Sequence, residues 1–282
     1  MKNYKNISKI KLFIIKSTLF LGQKTLIGRG LVRKGLINFI NYLIKRGTYK
    51  ESRFICDVNG VPFNFYNDKL TNIKLYFGRS ENKEINFVKK NSSDNSVFID
   101  IGSNMGLYTQ NIAFLINNNR RIKIIAIDAN HINNFRLKEN LKLIKYKTPN
   151  IFSFVKIKNC AVGNRNTRLN LNFSKGLANG IISKKKLKNN LSVKCTRLID
   201  IINQEKIEFI TNLKIDIEGF EDRVLISFLS KCKKKLFPIN IILEHSMKEY
   251  WNKDLIQFLL TKGYKQVFKN NSNMIFSLPT KS

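Results

Sequence analysis

The stretch Val97-Phe98-Ile99-Asp100-Ile101-Gly102-Ser103-Asn104-Met105-Gly106 constrains this chain more than any other. An apolar run carries an Asp near its end, a Gly-rich turn follows, and a helical pattern opens at once. A chain of this kind leaves a buried strand through a tight turn into a helix, the unit from which doubly wound α/β domains are built. A second apolar run, Ile122 to Ile127, ends in another acid, Asp128, about twenty residues on. Paired acid-ended strands suit a ligand that contains adenosine.

The pattern from Ser96 onward alternates between strand and helix. Strand 96–101 leads into a helix from about Asn104 to Ile116, strand 122–127 into helix 131–145, and Phe152 to Val162 reads as a third strand. Arg168 to Phe173 and Leu191 to Arg197 read as two further strands, flanking a Gly- and Lys-rich loop. Leu198 to Gln204 is a short helix. Leu213 to Ile217, helix 220–229, Pro238 to Leu243 and helix 247–262 follow, and Gly263 is a fitting C-cap. Tyr264 to Phe268 and Met274 to Leu278 form a closing hairpin. This order predicts an α/β fold with a mainly parallel sheet, helices on both faces and one antiparallel strand contributed by the hairpin.

Two regions precede this domain. Residues 1–53 carry 13 Lys or Arg and one acid, Glu51, and predict a basic helical extension. It reads either as an amphipathic helix on an anionic membrane surface or as a cap packed on the core. Residues 54–95 predict a hairpin turning at Asn59-Gly60, then a helix with Ile85 and Val88 on its apolar side. The main domain spans 96–282.

The whole chain has 51 basic and 19 acidic residues among 282, a net charge of +32. An acidic partner such as nucleic acid or anionic lipid would explain this. So would compositional bias, because the basic residues are spread along the chain with abundant Asn and Ile. Cys56, Cys160, Cys195 and Cys232 form no C-x-x-C pair, and two histidines cannot build a His-based metal site alone. Leu12 to Leu21, broken by Lys16, is too short to span a membrane and has no cleavage site after it. These features point to a cytoplasmic protein, peripheral to a membrane if residues 1–53 bind one.

The loop after the first strand narrows the ligand. A dinucleotide site needs Gly-x-Gly-x-x-Gly, so that backbone N–H groups reach a pyrophosphate. Here Asn104 replaces the middle glycine, and Asp100 precedes Gly102 where a phosphate would be repelled. A ligand with an ammonium group and no phosphate fits better, and S-adenosylmethionine is such a ligand. Gly102 and Gly106 would let it approach the backbone, and Asp128 would accept its ribose hydroxyls.

The segment Asp216-Ile217-Glu218-Gly219-Phe220-Glu221 gathers three carboxylates where a strand meets a helix, on the ligand-binding edge. Read as extended, it puts Asp216 and Glu218 on one side. They suit a general base for an acceptor hydroxyl, hydrogen-bonding groups that orient the acceptor, or a divalent metal site, which hard oxygen ligands permit. Glu221 is expected mainly to cap the helix, and Glu218 shares that alternative. Glu244 and His245 follow the fifth main strand at the same edge and are further catalytic candidates. No metal is expected.

Leu213-Lys214-Ile215-Asp216-Ile217-Glu218-Gly219-Phe220-Glu221, together with Asp100 to Gly106 and Asn159-Cys160-Ala161-Val162-Gly163, resembles the FkbM family of S-adenosylmethionine-dependent methyltransferases. The resemblance runs from about Phe98 to Leu278. It implies the class I, Rossmann-like fold with seven strands. It also implies O-methylation of a sugar, polyketide or related hydroxylated product. Asp100, Gly102, Asn104, Gly106, Asp128 and Ala161 are the expected cofactor-binding residues, and Asp216, Glu218, Glu244 and His245 the expected catalytic ones. Asp128 departs from the commoner Glu, and Ala129 from the usual Pro. The expected partner is a small-molecule or glycan acceptor. An RNA acceptor and a non-catalytic, membrane-associated scaffold are the competing readings.

Overall fold

The structure is a computed structural model that describes residues 13, 14, 17, 18, 35, 39, 53–58, 60–66, 81–117, 119–172, 181–182 and 190–279. The membrane reading of residues 1–53 and most of the loop between Phe173 and Leu191 lie outside the described residues. The chain divides into two compact units, residues 1–82 and 83–282.

The first unit contains the expected hairpin. Strands β1 (Arg53–Val58) and β2 (Val61–Tyr66) pair antiparallel with Val58 opposite Val61. Gly60 sits at φ 80° and donates its N–H to Asp57 Oδ1 at 2.7 Å, closing the turn. Positive φ is where glycine costs least.

Helix α1 (Asn82–Lys90) begins at the boundary, and all but its first residue belongs to the second unit; strand β3 (Val97–Ile101), helix α2 (Leu107–Ala113), strand β4 (Lys123–Asp128) and helix α3 (His131–Lys142) follow. A single turn, α4 (Ile151–Phe154), leads into β5 (Val155–Asn159) and β6 (Ala161–Gly163). Strands β7 (Thr167–Asn172), β8 (Ile181–Ile182) and β9 (Asn190–Arg197) follow, then α5 (Leu198–Gln204), β10 (Asn212–Ile215) and α6 (Glu221–Lys231). The chain ends through β11 (Asn240–Glu244), α7 (Leu255–Thr261), β12 (Lys265–Lys269) and β13 (Asn273–Ser277).

Seven of these strands form one sheet in the order β12-β13-β11-β10-β3-β4-β5. All neighbours are parallel except β13, which runs antiparallel between β11 and β12. This is the class I, Rossmann-like arrangement. Side chains alternate across it, as strand geometry requires. Ile99, Ile101, Leu213, Ile215, Ile241 and Leu243 pack on one face with residues of α5, α6 and α7. Phe98, Ile124, Ala126, Ile242 and Ile275 pack on the other with α1, α2 and α3. The strand order reverses between β3 and β10, and the crevice at that reversal is where open α/β sheets hold ligands.

Three expectations are corrected. The run 152–162 is not one strand: it begins as a helical turn and leaves the main sheet after Asn159. The β6 portion pairs instead with β9, in a second sheet ordered β6-β9-β7-β8. The helix expected from Asn104 starts at Leu107, because Asn104 (φ 50°) and Gly106 (φ 92°) are left-handed. Helix 247–262 is split into a 3-10 turn, Lys248–Tyr250, and α7. Asp254 caps α7 by accepting the N–H of Gln257 at 2.9 Å. Among the described residues, no helix is long and apolar enough to cross a membrane.

Candidate active site

Four adjacent parallel strands deliver an acid to the same edge. Asp100 lies one residue from the end of β3, Asp128 ends β4, Asp216 follows β10 and Glu244 ends β11. Glu218 and Glu221 add two more from the loop after β10. Six of the 19 acids of a chain with net charge +32 are therefore concentrated at or beside the switch point.

The loop after β3 is built from local backbone needs. Gly102 has φ +77°, and a Cβ there would stand 1.8 Å from the Asp216 carbonyl oxygen. Gly106 has φ +92°, and its Cβ position lies 2.3 Å from Leu137 Cδ1. The space that these glycines leave is thus filled by protein, by the end of β10 and by α3. Every N–H from 102 to 106 is bonded internally. Gly102 and Ser103 donate to Ile127 O at 2.9 and 3.1 Å, and Gly106 donates to Ser103 O at 2.8 Å. Asn104 donates to Asp128 Oδ2, and Met105 to Asn104 Oδ1, both at 2.8 Å. A phosphate cradle would present these groups to the ligand; this loop does not.

Asp128 is partly buried, and its carboxylate holds three donors. Oδ2 accepts from Asn104, and Oδ1 accepts from the Asn130 N–H at 2.8 Å and Asn133 Nδ2 at 3.3 Å. A carboxylate offers about four lone-pair positions, so capacity remains at Oδ2. Burial pushes its carboxyl up to about 6, against the pull of these hydrogen bonds. Asp100 is fully buried. Its Oδ2 accepts from Thr109 N–H at 3.2 Å and Thr109 Oγ1 at 2.7 Å, while Oδ1 has no partner. Burial raises its carboxyl, and Lys214 opposes the rise. Ala161 is partly buried in β6, opposite Cys195 of β9. Just before it, Asn159 Nδ2 donates to the carbonyls of Asp128 and Ala129 at 3.1 and 3.0 Å.

After Ile215 the chain turns, so the extended geometry expected for 216–218 is not what joins these carboxylates. Glu218 and Gly219 have φ 56° and 90°. Glu221, fully buried, holds the turn: its Oε1 accepts from Ile217 N–H at 2.8 Å and Gly219 N–H at 3.2 Å. Its Oε2 accepts from the Trp251 indole at 2.8 Å. The sequence suggests mainly a helix cap for Glu221; the backbone groups that it binds instead belong to the turn before that helix, where Phe220 is the N-cap and no side chain caps it. Burial, then the charges of Asp216 and Glu221, raise the Glu218 carboxyl.

Glu244 Oε1 accepts from the Ser246 N–H at 2.9 Å and from the Ser246 hydroxyl, while Oε2 is buried without a partner. Burial, with Asp216 nearby, pushes its carboxyl up to about 7. His245 is held against the terminal hairpin. Its N–H donates to Ser272 O at 2.8 Å, and Nε2 lies 3.0 Å from the Asn270 carbonyl, which only accepts. That nitrogen therefore carries a proton. Among the described residues, no group of three or more His, Cys, Asp and Glu is arranged to hold a metal ion.

The sequence reading missed two members of the site. Lys214 is buried beside Asp100 in register, donates to Asp216 Oδ2 at 3.0 Å and stands 5.2 Å from the centre of the Tyr108 ring. A lysine in the middle of an apolar strand was the available signal. Trp251 gave none, since it meets Glu221 across 30 positions.

The Methyltransferase FkbM domain family matches residues 100–266 of this chain. The chain belongs to the FkbM methyltransferase family. The match takes in Asp100, Asp128 and the whole 214–221 run, so the FkbM domain contains every carboxylate of the site. Membership makes this a methyltransferase domain, and S-adenosylmethionine is the methyl donor that it implies. Among solved structures, the FkbM methyltransferase of Methylobacillus flagellatus KT is 17% identical, with 65% of this chain and 44% of that chain covered and a TM-score of 0.46. This chain thus spans less than half the length of that one. The aTrm5 protein in complex with tRNALeu is 14% identical, with 83% and 54% covered and a TM-score of 0.44. A putative rRNA-methylase from Clostridium thermocellum is 12% identical, with 72% and 97% covered and a TM-score of 0.43. No curated protein matches this chain significantly.

Proposed function

We propose that the chain transfers a methyl group from S-adenosylmethionine to a hydroxyl of a glycan or another hydroxylated product. The observation that carries this reading is the acid at the end of each of four adjacent parallel strands in a strongly basic chain. Clustered carboxylates raise one another's proton affinity and are relieved by a cation. A sulfonium amino acid brings positive charge without phosphate, which agrees with the internally bonded N–H groups of residues 102–106. When bound, the donor supplies a methyl group already activated on sulfur, so the protein's task is alignment and proton removal.

The residues divide by place. Asp128 takes a ribose hydroxyl at the open position of Oδ2, and Asn104, Gly102 and Gly106 fix the loop beside it. Asp100 contributes negative charge from below, and Ala161 borders the adenine side. Asp216 and Glu218 orient the acceptor. The acceptor proton would pass to Oε2 of Glu244 as the acceptor oxygen bonds to the methyl carbon and the methyl–sulfur bond breaks, its electron pair leaving on sulfur as S-adenosylhomocysteine. A carboxyl held near 7 is matched to that task at neutral pH.

A second reading, an RNA acceptor, draws on the net charge of +32. Labelled methyl transfer into fractionated extracts separates the two. Label in ribonuclease-resistant carbohydrate or small-molecule fractions supports the first. Label in RNA, with binding that weakens steeply with salt, replaces it with the second.

A further inference from the structure

We infer that the cleft formed by residues 248–256 is the acceptor subsite, that it takes a polyhydroxylated ring, and that Trp251 couples its occupancy to the loop carrying Glu218. The inference rests on the methyl-transfer reading above. The cleft is a largely open depression of about 390 Å³, a volume within the range of small-ligand sites. Trp251 lines it with Lys248, Asn252 and Lys253. An indole wall beside amide and ammonium groups suits the two surfaces of a sugar, its C–H face and its hydroxyls. Glu249 and Asp254 in the same lining offset the two lysines, so the cleft lacks the one-signed charge that a polyanion requires.

The cleft is fastened to the acidic loop at several points. The Trp251 indole bonds Glu221, which holds the N–H groups on either side of Glu218. Asp222 Oδ2 accepts from the N–H groups of Asn252 and Lys253 at 2.8 and 3.2 Å. Arg223 donates to Gly219 O at 3.0 Å, Tyr250 O at 3.2 Å and Asn252 Oδ1 at 2.8 Å. Glu218 has a left-handed φ of 56°, a conformation that persists only where the surroundings fix it. The same bonds that fix it also build the wall of the cleft. A ring stacked on Trp251 is therefore one side chain away from the loop that orients its hydroxyl.

Trp251 is the single tryptophan of the chain, so its emission reports on the cleft directly. The test titrates the full chain, saturated with S-adenosylhomocysteine, with a panel of neutral methyl glycosides and oligosaccharides, and separately with poly(U). The expected result is a saturable emission change with at least one glycoside, insensitive to salt between low and high ionic strength. Lys253→Ala, which keeps the backbone bond to Asp222, weakens that glycoside at least fivefold and leaves S-adenosylhomocysteine affinity unchanged. Trp251→Phe raises the acceptor KM more than tenfold and also lowers kcat, because the Glu221 bond is lost. An emission unmoved by every glycoside, or moved only by poly(U), overturns the subsite. Failure to bind S-adenosylhomocysteine by calorimetry overturns instead the methyl-transfer reading on which it rests.

Discussion

The backbone N–H of Asn104 donates to Asp128 Oδ2 at 2.8 Å, tying the turn after β3 to the end of β4. One carboxylate thereby serves both the shape of the loop and the ribose position proposed beside it. Asp128→Ala should weaken S-adenosylmethionine by roughly 10- to 100-fold, the worth of a hydrogen bond to a charged group. Calorimetry reads this directly, and unchanged affinity would remove Asp128 from the donor site.

The Asp216 carbonyl stands in the place of a Gly102 side chain. Gly102→Ala should cost about 3 kcal/mol or more, from the backbone clash added to the left-handed φ. Gly263→Ala is the control, since Gly263 has φ +92° but nothing within 4 Å of its Cβ position. It should cost about 1–2 kcal/mol. Denaturant midpoints that ranked the two equally would show that the contact between the β3 loop and the β10 end is not fixed.

Glu244, held near 7, is mostly protonated at pH 5 and mostly ionised at pH 9. If it takes the acceptor proton, kcat/KM rises with pH through about 7 and then levels. Glu244→Gln should lose about 10²- to 10⁴-fold and abolish that limb. A rising limb that survived in the variant would assign the base elsewhere.

The same group has a signature in stability. Its folded pKa lies above the ordinary glutamate value of 4.5, so the folded state binds the proton more tightly than the unfolded chain does. Its contribution is full below about 4.5 and is lost as pH rises through about 7. Thermal melts should show a smaller fall between pH 5 and pH 8 in Glu244→Gln than in the parent chain.

At the opposite edge of the sheet a polar ladder joins three strands. Asn212 donates to Asn91 O and Ser92 Oγ at 3.0 and 3.1 Å, Asn240 donates to Asn212 Oδ1 at 2.9 Å, and Ser277 donates to Asn240 Oδ1 at 2.7 Å. Asn212→Leu should destabilise by about 2–4 kcal/mol, because it strands buried partners. Donor affinity should stay within about twofold, as the ladder lies at the starts of β10 and β11 and the end of the antiparallel β13, away from the acid-bearing edge. A large loss of donor binding without loss of stability would contradict this separation.

What the sequence by itself determined is local. Apolar runs, a Gly-rich turn and acids at strand ends are written within a few residues of one another. The doubly wound class, the antiparallel closing strand, the hairpin turning at Asn59-Gly60 and the 214–221 run were therefore legible in the sequence alone. Tertiary structure decided what depends on which strands become neighbours. Gly102 is required by a carbonyl 114 positions away, Asp100 and Lys214 meet only through the β3–β10 register, and Trp251 reaches Glu221 only once β11 lies beside β10. The break at Cys160 follows the same rule, since β6 has its partner in β9 rather than in β4 or β5. Periodicity records which face of an element is buried. The strand order that brings six carboxylates to one edge is set by long-range pairing, and no short window of sequence encodes it.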